Sequence, residues 1–137
     1  MPEDVSGYKP STKEEFMSDR QLAYFKDKLL QWKADIHAEL NETLDTLQKH
    51  NLNAPDLNDR ASSESDRSIE LRARDRQRKL IAKIDAAMAR IDDKTYGFCE
   101  ETGEPISLER LDARPIATLS LEAQERHERR EKVYRDT

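Results

Sequence analysis

The sequence predicts a mainly α-helical protein: a long antiparallel coiled-coil hairpin, a small α/β globular region and a last helix. Three observations carry this. Two long stretches of helical periodicity flank residues 53–61 (Asn-Ala-Pro-Asp-Leu-Asn-Asp-Arg-Ala), whose Pro, Asn and Asp content marks a turn. Charged residues make up 39% of the 137 and aromatics only 6%, a composition that suits exposed helices better than a compact globule. After residue 93 the chain changes to short extended pieces punctuated by Gly and Pro.

Residues 1–17 are polar and hold Pro2, Gly7 and Pro10, so they are expected to form a flexible arm. Tyr8 and Phe16 would anchor it where it lies against the body. The hairpin follows over 18–93, with its tip at about 53–61. Ser18 or Asp19 can cap its first helix. From there Leu22, Phe25, Leu29, Trp32, Ile36, Leu40, Leu44 and Leu47 recur at steps of three and four, close to a heptad. About 32 residues at ~1.5 Å each make a helix of roughly 48 Å. So narrow a stripe on so long a helix requires a partner helix. The second helix begins near Asp56–Asp59 and runs to Asp92, with Ala61, Ile69, Ala73, Leu80, Ile84, Ala87, Met88 and Ile91 as its stripe. Ser62, Ser63, Ser65 and Ser68 thin that stripe near the tip, where packing should be weakest.

The globular region spans 94–120. Tyr96–Cys99 and Glu104–Ile106 are expected as two short strands around a Thr102-Gly103 turn, and Ser107 as the cap of a short helical turn. Its core would be Tyr96, Phe98, Ile106, Leu108, Leu111, Ile116 and Leu119, too small to stand without the base of the hairpin. Ser120 caps a final helix over 121–137 whose middle has no burial stripe, so it bridges solvent or meets a partner.

The net charge of −5 argues against broad binding to nucleic acid, which needs a basic excess. No apolar run would span a membrane and no signal-peptide pattern opens the chain, so a cytoplasmic monomer is expected. The single cysteine, Cys99, excludes an internal disulfide. His37, His50 and His127 are isolated, so neither a metal donor set nor a nucleophile with its base is legible, and no enzyme is expected. Arg72, Arg74, Arg76, Arg78, Lys79 and Lys83 make a basic run, which as a bare pattern is a solvated helix face. Asp56 and Asp59 are open to two readings. They begin a helix, where carboxylates accept backbone N–H groups and face the positive dipole end, or they act as acids at the tip of a rod.

The order of motifs favours the second reading. Asp56-Leu57-Asn58-Asp59-Arg60-Ala61 resembles the Asp-x-x-Asp-x-Ala tip of the DksA/TraR family, transcription factors that bind in the secondary channel of bacterial RNA polymerase. Gln21-Leu22-Ala23-Tyr24-Phe25 with Trp32 resembles the family's first long helix, and residues 70–81 resemble its second. Tyr96-Gly97-Phe98-Cys99-Glu100 and Arg110-Leu111-Asp112-Ala113-Arg114-Pro115 resemble its zinc-finger-like region. The family's four zinc cysteines fall here on Cys99, Thr102, Ser120 and Ala123, which implies a zinc-independent member whose globular region holds by packing and hydrogen bonds.

The resemblance implies a regulator of transcription initiation that binds RNA polymerase near its β′ subunit and not a DNA sequence. Asp56, Asp59 and Ala61 would act beside the polymerase centre, destabilising open complexes at ribosomal-RNA promoters and modulating others. Guanosine tetraphosphate (ppGpp, the stringent-response nucleotide) would be a co-regulator held with polymerase by Arg76, Leu80, Lys83 and Arg114. A further family lysine is Gln124 here, which weakens that part of the site. Two alternatives remain: a transcript-cleavage factor that holds Mg²⁺ with its tip acids, and a structural coiled-coil adaptor.

Overall fold

The structure, a computed structural model, describes residues 7–53 and 57–136, and the side chains of 7–46, 48 and 64–134. Four helices follow in order: α1 (Asp19–Asn53), α2 (Leu57–Asp93), α3 (Leu108–Ala113) and α4 (Leu121–Asp136). The two long helices pack against each other. The chain divides into two compact units, one of residues up to Leu29 together with those from Ile84 onward, the other Leu30–Lys83.

The first unit holds most of the buried apolar surface. Leu22, Phe25 and Leu29 of α1 and Ile84, Ala87 and Ile91 of α2 are buried in it, and Tyr96, Cys99, Ile106, Leu111, Ile116, Ala117 and Ala123 complete the core. Fully burying one large apolar side chain is worth about 1.5–3 kcal/mol, so a core of this size can hold a region with little regular structure of its own. The Phe25 and Tyr96 rings meet at 5.5 Å with a tilt of 46°, linking the base of α1 to the globular region. Phe98, expected inside, is instead 39% exposed, with Phe16 edge-on against it at 5.4 Å. The two expected strands reduce to a single antiparallel bridge, Phe98 to Pro105. The ladder stops there because the Cys99 carbonyl accepts from the Gly103 N–H and the Glu104 N–H donates to the Thr102 hydroxyl, so neither is left for a second bond between 99 and 104.

Residues 7–17 lie on this unit. Tyr8 meets the edge of Tyr24 and takes the Arg20 guanidinium over its ring at 4.1 Å. Its hydroxyl hydrogen-bonds Glu14. Gln21, fully buried, ties these residues to the start of α1. Its side-chain oxygen accepts from the Met17 N–H at 2.8 Å, and its amide donates to the Ser11 carbonyl at 3.1 Å and to Glu14 at 3.2 Å. Ser18 is the cap, accepting from the Gln21 N–H at 3.3 Å. Gln21 thus stands where a capping-box residue would and reaches one position further back. Gly97 (φ 92°) lets the Met17 side chain approach, since a Cβ there would sit 3.1 Å from three of its atoms.

The second unit is more polar. Ile36 and Leu40 are buried on α1, as the stripe predicts. On α2 the expected stripe residue Ile69 is 62% exposed. The row that runs back from Ile91 and Ile84 at heptad spacing instead reaches Gln77 and Glu70, both half-buried. The Gln77 amide donates to Glu39 at 2.7 Å, while Gln77 Oε1 and Glu70 Oε2 have no hydrogen-bond partner among the described residues.

Candidate functional site

The tip residue Asp56 lies outside the described residues. Asp59 and Ala61 fall in the first turns of α2, with the helix starting at Leu57. The basic run resolves into a face. Arg72, Arg76, Lys79 and Lys83 are exposed and follow one another at steps of four, three and four, so they share one side of α2. Among the described residues none of the four has an ion-pair partner. Leu80, half-buried, sits within this row. Three of the four residues expected to meet the nucleotide are therefore on one helix in the second unit, and Arg114 belongs to the first.

Arg114 is held by its backbone. It caps α3, its N–H donating to the Arg110 carbonyl at 2.8 Å, and its own carbonyl accepts from the Ala117 N–H at 3.0 Å. The next carbonyl, that of Pro115, accepts from the buried Tyr96 hydroxyl at 2.7 Å. Desolvation pushes the Tyr96 pKa well up. The Arg114 side chain is exposed.

Two residues before Arg114, Asp112 is bound from α1. One oxygen of its carboxylate, Oδ1, accepts from the Tyr24 hydroxyl at 2.6 Å and from Lys28 Nζ at 2.7 Å, and Lys28 also reaches the Asp112 carbonyl at 2.6 Å. The hydrogen bond to Asp112, then burial, then the carboxylate's charge push the Tyr24 phenol up to about 12. The same bonds, that of Lys28 first, hold Asp112 below the usual carboxylate range. Motif reasoning missed this trio because Tyr24 and Asp112 are 88 positions apart in the chain.

Cys99 is buried. Burial raises its pKa, but the Thr102 hydroxyl and the backbone N–H groups of Ser120, Thr102 and Glu101 outweigh it and bring the thiol down to about 6. The loop is closed by Cys99 N–H to the Glu104 carbonyl and Gly103 N–H to the Cys99 carbonyl, both 2.8 Å. Ser120 accepts from the Ala123 N–H at 3.2 Å, and Ala123 presents a fully buried methyl group. A closed zinc site takes four Cys, His or carboxylate donors. The set Cys99, Thr102, Ser120 and Ala123 does not fit one, and no cluster of three or more His, Cys, Asp or Glu suited to a metal occurs among the described residues. No described helix is long and apolar enough to cross a membrane.

Comparison with known proteins identifies the family. Residues 21–91 match the family model of the DnaK suppressor protein DksA, N-terminal domain, and residues 94–129 match that of the prokaryotic dksA/traR C4-type zinc finger. The chain is 66% identical over 133 residues to the RNA polymerase-binding transcription factor DksA of Caulobacter vibrioides, covering 97% of this chain and 94% of that protein. It is 40% identical over 128 residues to the factor of the same name from Escherichia coli, covering 93% and 85%. The solved structure of transcription factor DksA2 from Pseudomonas aeruginosa superposes with a TM-score of 0.81 at 40% identity, covering 90% of this chain and 94% of that one. With the N-terminal domain, the finger region and the fold all matched, the chain belongs to the DksA family.

Proposed function

We propose that this protein regulates transcription initiation by binding RNA polymerase, without itself catalysing a reaction. The observation that carries the reading is the 66% identity over nearly the whole chain to a factor named for polymerase binding. The Asp56-Leu57-Asn58-Asp59-Arg60-Ala61 motif of the sequence and the exposed basic face on α2 support it. In this reading the hairpin enters the secondary channel and Asp56, Asp59 and Ala61 act beside the polymerase centre. Their charge and hydrogen bonding favour one polymerase conformation over another, and the population shifts by that difference in affinity.

The nucleotide ppGpp acts with the protein at polymerase. Arg76, Lys83 and Arg114 supply cations for its phosphates through charge-assisted hydrogen bonds, and Leu80 supplies an apolar contact. The finger region folds without zinc. Ala123, which presents a fully buried methyl group where the family's fourth cysteine falls, supports that view.

The test is transcription in vitro from a ribosomal-RNA promoter, with purified polymerase, with and without the protein and ppGpp. The protein should inhibit, and ppGpp should deepen the inhibition. Absence of any effect on initiation, with polymerase bound, would leave only an adaptor. Cleavage of the transcript in backtracked complexes would point to a cleavage factor.

A further inference from the structure

We propose that Tyr24, Lys28 and Asp112 form a clamp that positions Arg114 for the phosphates of its ligand. The inference deepens the nucleotide reading above and rests on it.

The clamp works on backbone. Asp112 is the penultimate residue of α3, where the last carbonyls have no partner within the helix. Lys28 Nζ fills that need at the Asp112 carbonyl, at 2.6 Å, and puts a positive charge where the helix dipole favours one. The same ammonium and the Tyr24 hydroxyl converge on Asp112 Oδ1 at 2.7 and 2.6 Å. Both donors come from α1, one turn apart, so the end of α3 is fixed to a rigid element. On the far side of Arg114, Tyr96 fixes the Pro115 carbonyl and Ala117 fixes that of Arg114 itself. The backbone around Arg114 is thus held from both directions.

The Arg114 side chain contrasts with that backbone. It is exposed, and among the described residues it has no ion-pair partner. A guanidinium on a fixed backbone has less freedom to lose when it meets a phosphate than one on a loose turn, and such preorganisation raises affinity. Tyr24, Lys28 and Asp112 themselves are spent on one another. Their part is to place Arg114, not to touch the ligand.

The experiment compares the full-length parent with Tyr24→Phe, Asp112→Asn and Arg114→Ala. Two quantities are measured with purified polymerase: the ppGpp concentration for half-maximal added inhibition, and affinity for polymerase without nucleotide. Tyr24→Phe keeps the ring against Tyr8 and Phe25 and deletes only the hydroxyl, so it carries the test even where Asp112→Asn fails to fold. The clamp predicts that Tyr24→Phe raises the half-maximal ppGpp concentration roughly three- to tenfold, the scale of one weakened hydrogen bond, with nucleotide-free affinity unchanged. Arg114→Ala should abolish the nucleotide effect. A parent-like ppGpp response in Tyr24→Phe, with the response lost in Arg114→Ala, overturns the clamp alone. A full response in Arg114→Ala overturns the nucleotide reading and the clamp with it. An equal loss of nucleotide-free affinity in Tyr24→Phe makes the trio a structural support and also overturns the proposal.

Discussion

The side-chain amide of Gln77 donates to the carboxylate of Glu39 over 2.7 Å, so a polar pair joins the two long helices where heptad spacing calls for an apolar knob. Gln77 is half-buried, its carbonyl oxygen has no hydrogen-bond partner among the described residues, and Glu39 is exposed. A buried amide oxygen without a partner costs free energy, and removing it lets Leu fill the row of Ile84 and Ile91. Gln77→Leu should therefore stabilise the second unit by about 1 kcal/mol, since Glu39 stays solvated. Hydrogen exchange over 36–44 and 70–80 should slow. In the same register Ile69→Ala should change stability by less than about 0.5 kcal/mol, because Ile69 is exposed. Ile84→Ala, at a fully buried position, should cost about 2–5 kcal/mol in a denaturant titration. Equal costs at 69 and 84 would mean that the register is wrong.

The Tyr24–Asp112 bond makes an alkaline signature. The folded Tyr24 phenol sits at about 12, above its ordinary 10.0. A raised pKa contributes stability in full below the unfolded value, and that stability fades as pH rises from 10 through about 12. Ultraviolet titration of phenolate should show a late-titrating group that Tyr24→Phe removes. Tyr24→Phe should also lose less stability than the parent between those pH values. The Asp112 carboxylate, held low, works in the opposite direction. Its contribution is present above the ordinary carboxylate range and is lost only as acid protonates it.

Cys99 supplies a third prediction, about the degenerate finger. Its folded pKa of about 6 lies below the ordinary 9.0, so its contribution is complete above the latter and is lost as pH falls through the former. Cys99→Ala should flatten stability over that interval. Metal analysis of the purified parent should find no stoichiometric zinc, and chelator should leave the helical circular dichroism unchanged. Zinc at one equivalent, lost together with structure, would contradict a finger that folds without metal.

Much of this architecture was legible because it repeats. The stripe from Leu22 to Leu40 recurs at helical spacing, and Leu22, Phe25, Leu29, Ile36 and Leu40 are buried as it requires. Ser107 and Ser120 cap their helices by the local rule that names them. Ile69 misled for a related reason. It is the one large aliphatic residue in the distal half of the stripe assigned to α2, whereas the inward row there is carried by Glu70 and Gln77, which hydropathy alone assigns to the surface. Gln21 was read only as part of a motif, since its burial depends on Ser11, Glu14 and Met17 folding back onto it. The basic face needed no structure beyond the helix. The trio behind Arg114 did, because no local pattern joins Tyr24 and Lys28 to Asp112 across more than eighty residues.

The most direct test of the central claim is the substitution Asp59→Asn, assayed for polymerase binding and for inhibition at a ribosomal-RNA promoter. Asn serves as well as Asp at a helix start, so the fold should survive. Only the charge and its interaction with the helix dipole are lost, about 0.3–1 kcal/mol. If the acid works at the tip, the variant should bind polymerase close to the parent's affinity and lose inhibition. A folded Asp59→Asn protein that binds and still inhibits in full would make this carboxylate a helix-start residue and contradict the account.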